Sequence, residues 1–249
     1  MPVTSSELLI KFLMVNTVIW AAPIQLCMLS SYREVSYVQD TATAILQQID
    51  DVPGKYSLKI VTTDDVALPE SLQSYAIQMT DRLYATGSDC ETGEDTDPLP
   101  PCKVRQQSLD VVVGLRRCQA ASGGGGWIVL MEDDFKPCPN AMREMASVLL
   151  GQLDQPGTKF ARFTQGGGVV AFPADKVLLY AESLMSQVEY KPCDWVLTGQ
   201  WDSGQDYVHP VFLFKHIGGV STIQYRNKED YRRAYSWLRD NECSDTVKI

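Results

Sequence analysis

The sequence lacks the features that mark several common classes of protein. It has no block rich in lysine or arginine, and its formal net charge is −9, so it lacks the basic surface by which proteins bind nucleic acids. None of its seven cysteines forms a CxxC pair, which argues against a zinc ribbon or a thioredoxin-like motif. What remains is an ordinary globular composition, 45% hydrophobic and 21% charged over 249 residues, sufficient for one sizeable α/β domain.

The N-terminal segment is apolar, but it lacks the uninterrupted run of about 20 apolar residues that a transmembrane helix needs. Lys11, Asn16 and Pro23 interrupt it. We therefore expect residues 1–22 to be a signal peptide or a short membrane anchor, and residues 23–249 to form the folded domain. This expectation places the domain in the lumen of the secretory pathway, in the Golgi or the ER, with membrane association through the N-terminus.

A secretory location favours disulfides over free thiols. Cys27 stands apart because it lies in an apolar run, and the other six cysteines allow up to three disulfides in 15 connectivities. Cys90 and Cys102 flank an acidic, proline-rich loop and are the pair most easily imagined to close it. The alternative is six free and mostly buried thiols.

Alternating apolar patterns predict strands and helices in turn. The predicted strands are Ile24–Leu29, Leu58–Val61, Trp127–Met131, Ala161–Thr164, Val169–Phe172 and Phe212–Ile217. The predicted helices are Glu34–Ile49, Pro69–Leu83, Arg105–Gln119, Ala174–Val188 and one that runs from an N-cap at Asn140 through Leu150. This alternation predicts a single Rossmann-like α/β domain, with a mostly parallel central sheet and helices on both faces.

Two segments without regular structure stand out between these elements. Gly87–Pro101 is acidic and rich in glycine, proline and threonine, which predicts a loop. Ser122–Gly126 lacks the GxGxxG spacing and leads into a strand rather than a helix, so we interpret it as a flexible connector and not as a phosphate-binding loop.

Three consecutive acids, Glu132, Asp133 and Asp134, follow the buried strand Trp127–Met131 directly. Ligands of open α/β sheets bind beyond the carboxyl ends of the strands. Adjacent carboxylates repel one another unless a cation neutralises them, and their hard oxygens suit Mg²⁺ or Mn²⁺, which commonly bridge to substrate phosphates. The triplet therefore predicts a metal site, with an ordinary acidic turn as the alternative.

Two downstream features extend this hypothesis. His216 lies in the apolar strand Phe212–Ile217 and offers either a further metal ligand or a structural imidazole. Asp194, in Lys191–Trp195, offers a general base for a hydroxyl group or an N-cap. Trp195 offers a surface for a sugar ring or a core contact.

The order of these motifs resembles the GT-A glycosyltransferases of the N-acetylglucosaminyltransferase IV type, which add GlcNAc in β1,4 linkage to a mannose arm of N-glycans. The stretches that carry the resemblance are Arg33-Glu34-Val35 with Tyr37-Val38, Gln106–Asp110, Val129–Asp134, Lys191–Leu197 and Leu213–Gly218 with Ser221. The compact layout around Cys118 and Pro137 is also similar to the GPI-anchor N-acetylgalactosaminyltransferase, which shares the GT-A core and modifies a glycolipid.

The resemblance implies an inverting transfer of an N-acetylhexosamine, GlcNAc first, from a UDP-sugar to a glycan or glycolipid hydroxyl. It implies Mn²⁺ or Mg²⁺ on the DXD-like motif, with Asp134, Asp133 and His216 as ligands and Asp194 as the base. It implies donor contacts from Glu132, Asp133, Arg33, Gln107 and Asp110. The sugar pocket would be lined by Trp195, Gln165, Gly166 and Gly167, with Gly168 beside them.

The sequence departs from this family at two positions. Gln106 replaces a basic residue, and Thr198 stands where the family has a second acid. The alternatives are therefore a non-catalytic GT-A-like module that binds glycans and a different metal-dependent enzyme, such as a phosphatase.

Overall fold

The computed structural model describes residues 23–31, 36–63, 66–92, 100–153, 160–164, 168–193, 196, 207–218 and 243. The expected signal peptide or anchor, residues 1–22, lies outside these ranges and stays a prediction. Among the described helices, none is both long enough and apolar enough to cross a membrane.

The described residues form strands and helices in alternation along most of the chain. The strands are β1 (Ile24–Ser30), β2 (Tyr56–Thr62), β3 (Ala76–Gln78), β4 (Trp127–Glu132), β5 (Phe135–Pro137), β6 (Ala161–Arg162), β7 (Val169–Pro173), β8 (Tyr207–Val208) and β9 (Phe214–His216). The α-helices are α1 (Val38–Ile49), α2 (Ser88–Thr92), α3 (Cys102–Ser122), α4 (Ala141–Ser147) and α5 (Val177–Gln187). A 3₁₀ turn lies at Glu70–Tyr75, and a π-helical turn lies at Val148–Gln152.

Seven strands form one sheet in the order β3-β2-β1-β4-β7-β6-β8, and β5 pairs with β9 in a separate ribbon. The neighbours β3–β2, β2–β1, β1–β4 and β6–β8 are parallel, whereas β4–β7 and β7–β6 are antiparallel. All seven residues of the interior strand β1 are buried, as expected for a strand covered on both faces. The predicted α/β class with a mostly parallel sheet is confirmed.

Helices cover both faces of this sheet, as predicted. Leu26 and Met28 of β1 pack into a core shared with α1 and α4. Leu29 of β1 points to the opposite face and packs with α3 and α5. The alternation of β1 side chains between two cores follows from the two-residue period of a strand.

The predicted helix Pro69–Leu83 is wrong. The chain makes a 3₁₀ turn at Glu70–Tyr75 and then forms β3, in which Ala76 lies opposite Ile60 of β2. Pairing with the open edge of β2 satisfies backbone groups that a helix would satisfy locally, and it buries Met79 completely. Tertiary pairing thus overrides a local pattern.

Two other boundaries differ from the expectations. Asn140 does occupy the expected N-cap position, and its carbonyl oxygen accepts a hydrogen bond from Glu144 N at 3.0 Å, but its φ is 63° and its side chain makes no capping bond. The helix was expected to run through Leu150, but its α-helical part, α4, ends at Ser147, and the chain continues in the π-helical turn Val148–Gln152. The expected strand Phe212–Ile217 is shortened to β9 and pairs with β5 outside the main sheet.

The Ser122–Gly126 segment connects α3 to β4, as predicted. Gly123 ends α3 in the left-handed conformation, with φ 70°. A Cβ on Gly126 would overlap the Pro23 carbonyl oxygen, which accepts a hydrogen bond from Trp127 N at 2.8 Å. This glycine segment therefore lies where β1 and β4 begin, which we call the amino edge, at the opposite end of β4 from the three acids.

The cysteines form disulfides between Cys27 and Cys118, Cys90 and Cys102, and Cys138 and Cys243. The expected Cys90–Cys102 pair is confirmed. The expectation that Cys27 stays outside the disulfides is wrong, because its side chain joins the core below α3, which carries Cys118. Cys193 is buried and forms none of these three disulfides. Three disulfides indicate an oxidising compartment, either luminal or extracellular.

The disulfides give a ranked stability prediction. Loop-closure entropy grows with the separation of the bonded cysteines, which is 91 for Cys27–Cys118 and 12 for Cys90–Cys102. Replacing both cysteines by alanine should lower the free energy of unfolding by about 5 kcal/mol for the first pair and about 3 kcal/mol for the second. Urea unfolding of the two double variants checks this order, and a larger loss for Cys90–Cys102 contradicts it.

Candidate functional site

The three acids lie at the edge of the sheet where β1, β2, β3 and β4 end, which we call the carboxyl edge. Leu29 of β1 lies opposite Glu132 of β4, and Ser30 lies opposite Thr62 of β2. The parallel register therefore brings the end of β1 beside the acids. This is the position at which open α/β sheets bind their ligands.

Asp133 turns towards the end of β1. The Ser30 hydroxyl donates a hydrogen bond to Asp133 Oδ2 at 2.7 Å. Both side chains are buried, with relative exposures of 1% for each residue. Hydrogen bonding to a buried carboxylate offsets part of the cost of removing its charge from water.

Asp134 contacts a different element, β9. Its Oδ2 lies 3.2 Å from His216 Nε2, and its carbonyl oxygen accepts a hydrogen bond from Ile217 N at 2.8 Å. The cause is the β5–β9 ribbon, in which Phe135 lies opposite His216. The ribbon thus brings together two residues predicted as metal ligands.

Gly218 completes the contact around Asp134. It is buried, and a Cβ at this position would overlap Asp134 Oδ2 and lie 3.0 Å from Asp134 Cγ. Only a residue without a side chain allows the carboxylate to occupy its place beside His216. The sequence contained Gly218 within the His216 motif, but its role becomes visible only from the close approach.

The donor atoms suit one divalent cation. Adjacent ligands of an octahedral ion at about 2.1 Å lie roughly 3.0 Å apart, close to the 3.2 Å between Asp134 Oδ2 and His216 Nε2. A carboxylate oxygen suits Mg²⁺ or Mn²⁺, and an imidazole shifts the preference towards the transition metal. No group of three His, Cys, Asp or Glu side chains arranged for a metal occurs within the described ranges. A site of this kind leaves positions for phosphate oxygens and water.

Glu132 and Gly168 are joined through the backbone. Glu132 N donates to the Gly168 carbonyl at 3.2 Å, and the Glu132 side chain is half-buried. Its predicted contact with the donor remains a prediction. A Cβ on Gly168 would overlap the ring of Phe135, so that ring occupies the space that a side chain at 168 would need. The expected place of Gly168 beside the sugar pocket remains a prediction.

Asp110 lies in the first half of α3, and Arg82 engages both of its carboxylate oxygens. Arg82 Nε donates to Oδ1 at 2.9 Å, and Nη2 donates to Oδ2 at 3.0 Å. Gln106 also donates to Asp110 Oδ1. It contacts the loop after β3, which contains Arg82, by donating to Leu83 O and accepting from Ala85 N. Asp110 therefore fastens the loop after β3, and its direct contact with a donor remains a prediction.

Gln107, the next residue along α3 from Gln106, is half-buried, and its donor contact also remains a prediction. The other predicted site residues lie outside the described ranges. They are Arg33, Gln165, Gly166, Gly167, Asp194 and Trp195.

Arg105 fastens the acidic loop that the Cys90–Cys102 disulfide closes. Its guanidinium donates to both oxygens of Asp89, at 2.7 and 2.9 Å, and to the carbonyl oxygens of Thr86 and Pro100. Its Nε lies 3.3 Å from a carboxylate oxygen of Glu189. The loop is thereby tied to the segment that leads to Cys193 and the predicted base.

The Arg105 contact makes stability depend on pH in the acid range. Hydrogen bonding from Arg105 lowers the pKa of Asp89 below its ordinary value, which is about 3.9 in unfolded chains. Since the folded pKa is the lower one, the stabilisation is fully present above about pH 4 and is lost as the pH falls through the folded pKa.

Asp89→Asn should therefore weaken the dependence of unfolding free energy on pH between about pH 2 and pH 5. Urea unfolding of both proteins across this range measures the slope. Asp81→Asn is the control, because its side chain is more than half exposed and ion-paired with Arg117. Equal slopes for the wild type and Asp89→Asn contradict the assignment.

Comparison with known proteins gives a general likeness only. No family model matches the chain, and no curated protein matches it in sequence. One similar solved structure is a glycosyltransferase involved in the glycosylation of the major capsid of PBCV-1, with 11% identity, covering 80% of this chain and 94% of that one, at a TM-score of 0.49. Another is the catalytic domain of Drosophila β1,4-galactosyltransferase 7 in complex with xylobiose, with 12% identity, covering 84% of this chain and 79% of that one, at a TM-score of 0.40. Neither identity is high enough to say which reaction this chain performs.

Proposed function

We propose that this protein is a metal-dependent inverting glycosyltransferase of the GT-A type. It moves an N-acetylhexosamine, GlcNAc in the first instance, from a UDP-sugar to a hydroxyl group of a glycan. The observation that carries the proposal is the 3.2 Å contact between Asp134 Oδ2 and His216 Nε2 at the carboxyl edge. Asp134 and His216 also belong to two of the five sequence motifs, and these motifs occur in the same order as in the family that the chain resembles.

Asp133 and Asp134 contact different partners, which supports different roles for the two carboxylates. Asp134 and His216 would hold Mn²⁺, which neutralises the diphosphate and stabilises charge on the leaving group. Asp133 is fixed by Ser30 at the end of β1, on the side of β2 and β3. This side is where we place the ribose of the donor, and Glu132 borders it.

The transfer itself also needs a base. In an inverting displacement, the acceptor oxygen attacks the anomeric carbon, its proton passes to a carboxylate, and the bond to the phosphate oxygen breaks. Asp194 is our candidate for this carboxylate. It lies five residues after Glu189, whose carboxylate is 3.3 Å from Arg105 Nε.

A UDP titration tests the proposal. Calorimetry should detect binding of UDP in the presence of Mn²⁺ and much weaker binding after chelation with EDTA. Labelled UDP-GlcNAc and UDP-GalNAc, each followed for slow hydrolysis without an acceptor, distinguish the GlcNAc enzyme from a transferase like the GPI-anchor enzyme. Binding without any hydrolysis supports the non-catalytic alternative, to which Thr198 points, and turnover of simple phosphate esters supports a phosphatase.

A further inference from the structure

The imidazole of His216 is held by packing as well as by Asp134. The Phe135 and His216 ring centroids lie 4.9 Å apart with a tilt of 58°, within the range of favourable aromatic pairs. Their residues lie opposite each other in the β5–β9 ribbon. The imidazole of His216 is therefore in contact with the Phe135 ring, while its Nε2 atom meets Asp134.

Phe135 is itself seated on Gly168. A Cβ at position 168 would overlap the Cζ and Cε2 atoms of the Phe135 ring and lie 2.6 Å from its Cε1. The ring thus fills the space that a side chain at 168 would need, and Phe135 is only 7% exposed. Gly168 is tied in turn to the acids, because its carbonyl accepts the Glu132 N–H.

We infer that Phe135 is a positioning residue of the candidate metal site, and that Gly168 is required for its position. The ring, seated on the bare Cα of Gly168, fixes the His216 imidazole at Asp134 before any ligand arrives. Ordering the imidazole in advance removes the rotamer entropy that binding would otherwise cost. The inference rests on the proposed function for its effect on metal binding, but the packing of His216 can be tested without metal.

The first arm of the test uses the two histidines as NMR probes in metal-free protein. The chain contains only His209 and His216, so histidine labelled at the ring carbons gives two signals, and His216→Asn identifies one of them. Phe135→Leu should shift the His216 signal by removing the ring current. His209 is the internal control, since its neighbours are Phe163 and Tyr207, and an unmoved His209 signal also shows that the fold is retained.

The second arm measures the affinity for Mn²⁺ with UDP. Gly168→Ala should shift the His216 signal and weaken this affinity by about 10-fold or more, the usual effect of disturbing a group that orients a metal ligand. Gly151→Ala is the matched control, because nothing lies within 4 Å of its added Cβ.

The double variant Gly168→Ala/Phe135→Leu decides whether the two residues act as one unit. We expect the double variant to bind Mn²⁺ with UDP no more weakly than the single variant with the lower affinity, since both changes disturb the same ring. Multiplied losses, or a Gly168→Ala protein with unchanged signal and affinity, overturn the inference. A wild type that binds no Mn²⁺ with UDP, but whose His216 signal responds to both substitutions, overturns the proposed function and leaves the packing role standing.

Discussion

Asp134→Asn should abolish detectable Mn²⁺-dependent binding of UDP and lower sugar transfer by at least about 100-fold, beyond the 10–100-fold loss typical when only a supporting group is removed. Asparagine keeps the size of the side chain but removes its charge. Asp134 is 3% exposed, so water cannot readily take the place of the lost carboxylate. The imidazole of His216 would then face a neutral amide.

The measurement for Asp134→Asn pairs calorimetry with a thermal melt. Asp175→Asn is the control, because Asp175 is exposed and follows β7, which ends at the amino edge. We expect this control to bind UDP and Mn²⁺ like the wild type. Unchanged binding by a folded Asp134→Asn protein contradicts the assignment of Asp134 as a ligand.

Gly218→Ala should have the second largest effect. Its methyl group would overlap Asp134 Oδ2, so either the carboxylate or the chain after β9 has to move. Both movements disturb the contact with His216, and we expect the affinity for Mn²⁺ with UDP to fall by about 10–100-fold. The same titration measures this loss.

Gly125→Ala provides the matched control for Gly218→Ala. Nothing lies within 4 Å of an added Cβ at Gly125, and its φ is not in the left-handed region. The methyl group added is the same, and only its surroundings differ. Equal affinities for the two alanine variants would show that the close approach at Gly218 has no part in the site.

Much of the fold follows from the sequence because its core elements carry strong apolar patterns. Trp127–Met131 is five apolar residues long and becomes the central strand β4. The helix now seen as Cys102–Ser122 was found with boundaries three residues short at each end. The edge strand β3 is not predictable from the sequence, because it forms by pairing with β2, a segment distant in sequence, and its own residues show no strand pattern.

The candidate site was predictable in part for a similar reason. The acids at the end of a buried strand and a scarce histidine are visible in the sequence, and the structure brings Asp134 and His216 together. The parts played by Ser30, Phe135 and Gly168 were not predictable. A serine that ends β1 and a ring that covers a glycine look ordinary until the sheet register and the β5–β9 ribbon bring them against the acids.

The structure also refines the interpretation of the acidic triplet. The sequence presents three equivalent carboxylates, but the fold directs them to different partners. Asp133 meets the Ser30 hydroxyl in the half of the sheet formed by β1, β2 and β3, and Asp134 meets His216 of the β5–β9 ribbon. Asp133 is also predicted as a metal ligand, and that role remains a prediction.

The most direct test of sugar transfer is the hydrolysis of labelled UDP-GlcNAc by the purified protein with Mn²⁺, beside the same protein in EDTA and beside Asp134→Asn. Background hydrolysis is expected only from an assembled site that activates the bond to the leaving phosphate. We expect measurable release of free sugar by the wild type with Mn²⁺, and release near the uncatalysed level in the other two samples. Equal release in all three samples, or none from the wild type with either UDP-GlcNAc or UDP-GalNAc, would contradict this expectation.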